Sequence, residues 1–332
     1  MLGPLHPGGE LAQPTFSVVI AAYEAAAFAG DAVRSALDQE PPPLEVIIGD
    51  DGSTDSLADV LGVFGSDVRI VRIEHAGEAA AKNAAAAAAT GEFLAFLDAD
   101  DTFLPGRLAA VSALARARAD LDVITTDAYL VHQGRVLGRT YGDGHRFALT
   151  DQRSAILRSN FVLGLSAVRR TRFHEVGGFD PAIAYTTDWD LWIRLIFSGS
   201  AVGFIPEPLA EYRLHGGSMS ARRAAMARGR LETLANAAAR VDLTQAERAI
   251  VDDARSREQA RLAREELREA LLDGAAGPAR RAAVHVVRSS AQPGATRLKA
   301  VAALISPGVV GRRLRSGEER WFTSVGDRRL PR

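Results

Sequence analysis

FLAFLDADD, residues Phe93 to Asp101, runs through five apolar residues and then into three carboxylates. An unbroken apolar run of this length reads as a strand buried on both faces, the habit of parallel sheets. The acids then emerge where the strand stops, at a sheet edge. Upstream the pattern recurs. LEVII (Leu44 to Ile48) ends at Asp50 and Asp51, FSVVIAA (Phe16 to Ala22) is a short apolar run, and Val68 to Ile73 is another strand. Between them Phe28 to Gln39, Thr54 to Phe64 and Gly77 to Thr90 have helical spacing or strong helix formers. Ser53 or Thr54 suits an N-cap with Asp55 in the first turn, Gly91 suits a C-terminal cap, and Pro105 opens a further helix. Strands alternating with helices predict an α/β fold with a mainly parallel, doubly wound sheet flanked by helices. Such sheets bind ligands beyond the carboxyl ends of their strands, where Asp50, Asp51, Asp98, Asp100 and Asp101 sit.

Working outward, Val123 to Val131 reads as a strand and Asp188 to Phe197 as a helix. Beyond about Ser220 the composition turns to Ala, Arg, Glu and Leu, and Ala221 to Arg240, Gln245 to Leu272 and Pro278 to Val287 read as helices. The expected organisation is a flexible tail over 1–14, an α/β domain over 15–219 and a C-terminal helical appendage over 220–332. The tail lacks the basic and apolar regions of a secretory signal. The 332 residues include 40 Lys and Arg against 41 Asp and Glu, for a net charge of −1. No overall basic field points to nucleic acid. The absence of cysteine excludes disulfides, zinc–thiolate sites and cysteine nucleophiles, and it fits a reducing cytoplasm. No segment reads as a transmembrane helix.

The acids define the candidate chemistry. Magnesium and manganese prefer oxygen ligands and are commonly shared between one or two carboxylates and a substrate phosphate. Asp98-Ala99-Asp100-Asp101 suits that use because of its place after a buried strand. Taken alone, Asp-x-Asp equally describes a solvated acidic loop. Asp51 can accept hydrogen bonds from a base edge or a ribose hydroxyl, while Gly52 permits a tight turn.

Five segments in order resemble the family 2 glycosyltransferases, which have the GT-A fold. They are SVVIAAYEAAAF (Ser17 to Phe28), EVIIGDDGSTD (Glu45 to Asp55), GEAAAKNAAAAAATGEFLAFLDADD (Gly77 to Asp101), GGFD (Gly177 to Asp180) and TDWDLWIRL (Thr187 to Leu195). They lie within about the first two-thirds of the chain. The resemblance implies a nucleoside-diphosphate-sugar donor, a UDP-sugar foremost, and a divalent cation, Mn2+ or Mg2+. It implies that Ala21 and Tyr23 line the nucleotide pocket, that Asp51 hydrogen-bonds the base, and that Lys82 contacts phosphate, although Lys82 also fits a solvated helix face. Asp98 would face the ribose or the metal shell, and Asp100 would bind the metal. His215, in a glycine-rich loop, would complete the metal site or lie plainly on the surface. Arg213 would form a forked contact with the diphosphate or pair with a neighbour.

Asp188 would be the catalytic base. The acceptor hydroxyl must lose its proton as it attacks the anomeric carbon, and a positioned carboxylate takes it. The leaving diphosphate needs no proton donor if a cation neutralises it, so one carboxylate and one metal suffice, with inversion. Thr187 stands where the family usually has Glu. Asp190 is the rival base, and Asp188 also fits an N-cap. Trp189, Trp192, Phe161 and Phe179 are candidates for stacking on a sugar, with core packing the alternative. Gly177-Gly178 marks a backbone constraint near the acceptor site.

Cell-surface polysaccharide or glycolipid synthesis is the family-level expectation, on a saccharide or lipid-linked acceptor. Two other readings remain. A nucleotidyltransferase would carry a glycine-rich loop after strand one, where this chain has Ala21-Ala22-Tyr23-Glu24. A degenerate transferase kept for assembly finds a foothold in Thr187, against the joint presence of Asp51, Asp98, Asp100 and Asp188. RLKAVAALISPGVVGRRLR (Arg297 to Arg315) sets apolar residues between basic ones, broken by Pro307 and Gly308. It reads as a helix docked on the catalytic domain, with peripheral contact at the inner face of the cell membrane as the alternative.

Overall fold

The computed structural model describes residues 13–142, 146–216 and 222–326. Most of the 1–14 tail lies outside them. The chain carries nine strands and twelve α-helices among these residues. The strands are β1 (Phe16–Ala22), β2 (Glu45–Asp50), β3 (Val68–Arg72), β4 (Phe93–Asp98), β5 (Thr102–Phe103), β6 (Leu121–His132), β7 (Arg135–Arg139), β8 (Ala167–Arg169) and β9 (Ala201–Arg213). The helices of the first half are α1 (Ala29–Leu37), α2 (Leu57–Gly62), α3 (Glu78–Ala87), α4 (Arg107–Ala117), α5 (Gln152–Arg158), α6 (Arg170–Glu175) and α7 (Thr187–Phe197). Those of the second half are α8 (Arg223–Arg240), α9 (Gln245–Leu272), α10 (Ala276–Arg288), α11 (Gly294–Ile305) and α12 (Pro307–Gly326).

The chain forms two compact units that interleave along the sequence. The first comprises residues up to Asp127 with Leu163–Gly178 and Ser200–Ala210; the second comprises Ala128–Val162, Phe179–Gly199 and the residues from Glu211 onward.

The sheet runs β3-β2-β1-β4-β8-β6-β9-β5, with β7 paired to β6. The first four strands are parallel, as the apolar runs predict. β8 then pairs antiparallel with both β4 and β6, so the parallel character stops at β4 and the sheet is mixed. Val18, Val19, Ile20, Ile47, Ile48, Phe93, Leu94, Phe96 and Leu97 are fully buried.

The sheet and α3 approach at van der Waals contact. A Cβ on Gly49 of β2 would lie 2.2 Å from the carbonyl oxygen of Ala81. Ala79, Ala81, Ala85 and Ala86 bury the facing side of the helix. Small residues on both partners are what permit this separation.

Local corrections have clear causes. The second helix starts at Leu57 rather than Thr54, because residues 53–55 are tied to the loop after β1. Ser53 Oγ accepts from Glu24 N (3.1 Å), Thr54 N donates to Glu24 (2.7 Å), and Asp55 accepts from Ala26 N (2.9 Å). Gly91 does not cap α3, whose C-cap is Ala88. It is small because a Cβ there would lie 2.6 Å from Ser17 N. Pro105 precedes the helix rather than entering it: Gly106, at φ 82°, is the N-cap of α4.

In the second unit, Thr244 and Glu247 form a reciprocal capping box at the start of α9. Arg153 of α5 grips the same carboxylate with a two-pronged contact at 2.8 and 3.1 Å. The Arg153 fork holds the Glu247 pKa down to about 2, from an ordinary 4.5, against the opposing effect of burial.

Two outcomes follow. Gly49→Ala is expected to destabilise by about 1–3 kcal/mol, since α3 must shift, read as a lower urea midpoint. Glu247→Gln is expected to cost about 1–2 kcal/mol near neutral pH, allowing for the half-exposed Arg153. The folded-state pKa is depressed, so this contribution is complete above pH 4.5 and fades as pH falls towards 2. The gap between wild type and variant in urea unfolding therefore narrows on acidification.

Candidate active site

In the first unit, the carboxyl ends of β1, β2 and β4 lie side by side. Ala21 is in register with Gly49 on one side and Asp98 on the other, and Ala22 with Asp50. Asp50 is a strut, because its carboxylate accepts from Ser53 N (2.9 Å) and Arg72 Nη1 (2.6 Å). Asp51 is 2% exposed and anchors the segment after β3. It accepts from Ala76 N (2.7 Å) and Gly77 N (2.9 Å), and His75 Nδ1 lies 2.9 Å from Oδ2. These contacts take three of a carboxylate's roughly four acceptor positions. Gly52, at φ 76°, has no room for a side chain, as a Cβ would meet His75 N at 3.0 Å.

The Tyr23 ring, 49% exposed, is stacked on the His75 imidazole with centroids 4.2 Å apart. Sequence reasoning gave His75 no role. A histidine after a strand carries no local signal, and only folding brings it against Tyr23 and Asp51. The two stacked rings stand at the end of β1 beside Asp51.

Lys82 is not on a solvated helix face but 4% exposed. Its Nζ donates to Asp98 Oδ1 at 2.7 Å and to Glu78 Oε1. Burial alone pushes an ammonium pKa down, but the Asp98 and Glu78 charges outweigh it and raise Lys82 above its ordinary value. Lys82 is therefore a fixed positive charge at the end of β4. The Gly49–Ala81 approach carries it there.

After β4 the chain turns tightly, with Asp101 N donating to Asp98 O at 3.0 Å. Asp101 is buried and Asp100 half-buried. Among the described residues, no group of three or more His, Asp or Glu side chains could by itself hold a metal ion. The donor set does not fit a closed protein cage. Asp98 and Asp100 at an open strand end do fit a hard cation completed by diphosphate oxygens and water.

His215 and Asp188 belong to the second unit. His215 is half-buried in the segment after β9, where Leu214 N donates to Val131 O (2.7 Å) and His132 Nδ1 lies 2.8 Å from Leu214 O. Asp188 sits inside the first turn of α7. The N-cap is Thr186, at φ 59°, so Asp188 is not the cap. Its Oδ1 accepts from Trp189 N (2.7 Å) and its Oδ2 from Asn160 Nδ2 (2.9 Å). Asp190, the rival base, is 3% exposed and accepts from Arg194 Nε at 2.7 Å. Its carboxylate is thus held by a guanidinium one helical turn away. Thr187 is 7% exposed.

Trp189, Trp192, Phe161 and Phe179 are all buried at 3% exposure or less. Trp189 Nε1 donates to Ile156 O at 2.7 Å. None of the four offers a ring for stacking. Gly177 and Gly178 have φ of 84° and 70°, the expected backbone constraint, and a Cβ on Gly178 would lie 2.6 Å from Asn83 Oδ1.

Helix α8 also builds the turn before Asp188. Thr186 Oγ1 and Thr233 Oγ1 are 2.9 Å apart, and a Cβ on Gly229 would lie 2.6 Å from Tyr185 Cβ. Burial and Arg261 lower the Arg230 pKa, while Glu258, Asp188 and Glu265 oppose the shift. Asn160, Gly229, Thr233 and Arg230 were not singled out from the sequence. No local pattern marks them.

The sequence profile of glycosyl transferase family 2 matches residues 17–177. TuaG of Bacillus subtilis (strain 168), a glycosyltransferase assigned by name to teichuronic acid biosynthesis, is 30% identical over 216 residues, 64% of this chain and 83% of that protein. The O-antigen biosynthesis protein RfbC of Myxococcus xanthus is 31% identical over 223 residues, 64% of this chain but only 17% of that protein. Among solved structures, S. aureus TarS in complex with UDP-GlcNAc superposes with a TM-score of 0.60 at 16% identity, covering 91% of this chain and 92% of that one. The mannosyltransferase PcManGT from Pyrobaculum calidifontis, in complex with GDP-Man and Mn2+, gives 0.58 at 18% identity, covering 91% and 83%. At these identities the structures speak for the fold alone, which is GT-A-like. From the TuaG match and the family profile together, the chain belongs to the family 2 glycosyltransferases.

Proposed function

We propose that the chain is an inverting, metal-dependent transferase. It moves a sugar from a nucleoside-diphosphate-sugar, a UDP-sugar foremost, to an acceptor hydroxyl. The observation that carries this is the convergence of Tyr23, Asp51, Lys82 and Asp98 on adjoining strand ends of the first unit. The base stacks on Tyr23 with His75 behind it, and Asp51 accepts a hydrogen bond from the base edge. Lys82 supplies a fixed positive charge towards the phosphates. Asp98 and Asp100 would hold Mn2+ or Mg2+. When bound, such a cation neutralises charge developing on the diphosphate leaving group.

Asp188 takes the proton of the acceptor hydroxyl as that oxygen attacks the anomeric carbon. The carbon–oxygen bond to the diphosphate breaks as the new glycosidic bond forms. One displacement of this kind inverts the anomeric centre. Asn160 and the Trp189 N–H orient Asp188 for the task. Asp190 is committed to Arg194 and serves structure.

The acceptor is a saccharide or a lipid-linked saccharide in cell-surface polysaccharide or glycolipid synthesis, and the reaction runs on the cytoplasmic side. The names of TuaG and RfbC support this assignment.

Asp100→Ala is expected to lose the manganese-dependent part of the thermal stabilisation given by a nucleotide sugar. At a hundredfold excess over Kd that stabilisation is about 2.7 kcal/mol in the wild type. An unchanged manganese response would remove Asp100 from the metal site. Asp188→Asn is expected to keep the donor-induced shift and to lose about 10²–10⁴-fold in transfer rate. Asp190→Asn is expected to lower the melting temperature. Retention of full rate by Asp188→Asn, with its loss in Asp190→Asn, would exchange the two assignments.

A further inference from the structure

We infer that α10–α12 form a docking surface for an anionic lipid bilayer. The surface lies outside the candidate donor and base residues, and its test needs neither donor nor acceptor. Its failure would leave the proposed reaction untouched, and the reverse holds too.

Charge comes first. The whole chain is nearly neutral, yet residues 274–317 contain eight Lys and Arg and no Asp or Glu. Arg280, Arg281, Arg288, Arg297, Lys299, Arg312 and Arg313 are exposed and Arg315 is half-buried. No ion pair among the described residues joins any of the eight to a carboxylate. Three of them bind carbonyls at helix ends: Arg280 to Leu304 O (3.1 Å), Arg297 to Val287 O (2.9 Å) and Arg315 to Leu271 O and Leu272 O (3.0 and 2.7 Å). Such contacts fix the guanidiniums without cancelling their charge.

Apolar exposure comes second. Ten large hydrophobic side chains are exposed among the described residues, and four of them fall between 298 and 309. Leu298 (71%), Val301 (38%) and Ile305 (76%) recur at helical spacing on one side of α11, and Val309 (42%) follows in the first turn of α12. The opposite side of α11 is anchored. Ala300 and Ala303 are fully buried in a cluster with Leu267, Leu271, Ala279, Ala283 and Val286 of α9 and α10. The helix is thus packed on α9 and α10, not on the catalytic domain as expected from its sequence, and still leaves an apolar stripe outward.

The occupant must satisfy both features. A soluble polyanion would pair with the guanidiniums but leave Leu298 and Ile305 in water. A second copy would cover the stripe but bring eight like charges against eight. A bilayer with anionic headgroups takes the basic residues at the phosphate level and the apolar ones below it. No helix is long and apolar enough to cross a membrane, so contact is at the surface.

The test is co-sedimentation of the full chain with vesicles of phosphatidylglycerol and phosphatidylcholine, or of phosphatidylcholine alone. Binding at least tenfold stronger to the anionic vesicles, weakening as salt rises, is expected. Lys299→Glu with Arg313→Glu should lower anionic binding at least tenfold. Leu298→Ser with Ile305→Ser should do the same while leaving the melting temperature within a few degrees, since these side chains are exposed. Equal or absent binding to both vesicle types would overturn the inference. So would a dimer by light scattering that Ile305→Ser converts to monomer, which would make a second copy the occupant.

Discussion

The van der Waals approach of α3 to β2 is the constraint on which the candidate donor site depends. Gly49 has no room for a Cβ against the Ala81 carbonyl. That closeness sets Lys82 beside Asp98. An ammonium buried in this way is stable only with its counter-charges, which Asp98 and Glu78 supply. A larger residue at Gly49, or on the facing side of α3, would lift the charge off the strand ends. Packing and electrostatics at this edge are therefore one requirement, met by glycine and alanine together.

What could be read in the sequence follows from the range of the forces involved. Parallel strands bury both faces, so β1, β2 and β4 appear as continuous apolar runs. The acids that follow them land at the sheet edge as predicted. Helix α9 was bounded correctly because its signals are local: Thr244 and Glu247 at the start, and a long run of helix formers after them. The antiparallel part of the sheet was less legible. β6 was read over Val123 to Val131, close to its observed bounds, but β9 mixes buried, half-exposed and exposed positions without clean alternation, so no two-residue period stands out there. For a related reason the sequence could not dismiss a solvated face for Lys82, which is buried. An alanine helix has no amphipathic signature, and nothing local says which face is buried.

The surroundings of Asp188 show the same limit more sharply. Asn160 is 28 positions away, and Thr233 lies 47 from Thr186. Helix α8 begins beyond the family profile, which ends at residue 177. From sequence alone the region after 220 is an appendage. In the second unit it instead provides one wall of the turn that carries the proposed base, through the Gly229 approach and the Thr233 hydroxyl. The left-handed backbone of Thr186 is uncommon for a β-branched residue, and packing against α8 helps to hold it.

Asp188 and Asp190, two residues apart on α7, have different surroundings. Asp190, like Asp50, accepts from a guanidinium at 2.6–2.7 Å. Asp188 accepts from the Asn160 amide and the Trp189 backbone N–H, which fix its direction, and it also lies within electrostatic reach of Arg230. The difference arises because Arg194 lies one helical turn beyond Asp190, whereas Asn160 reaches Asp188 from outside α7.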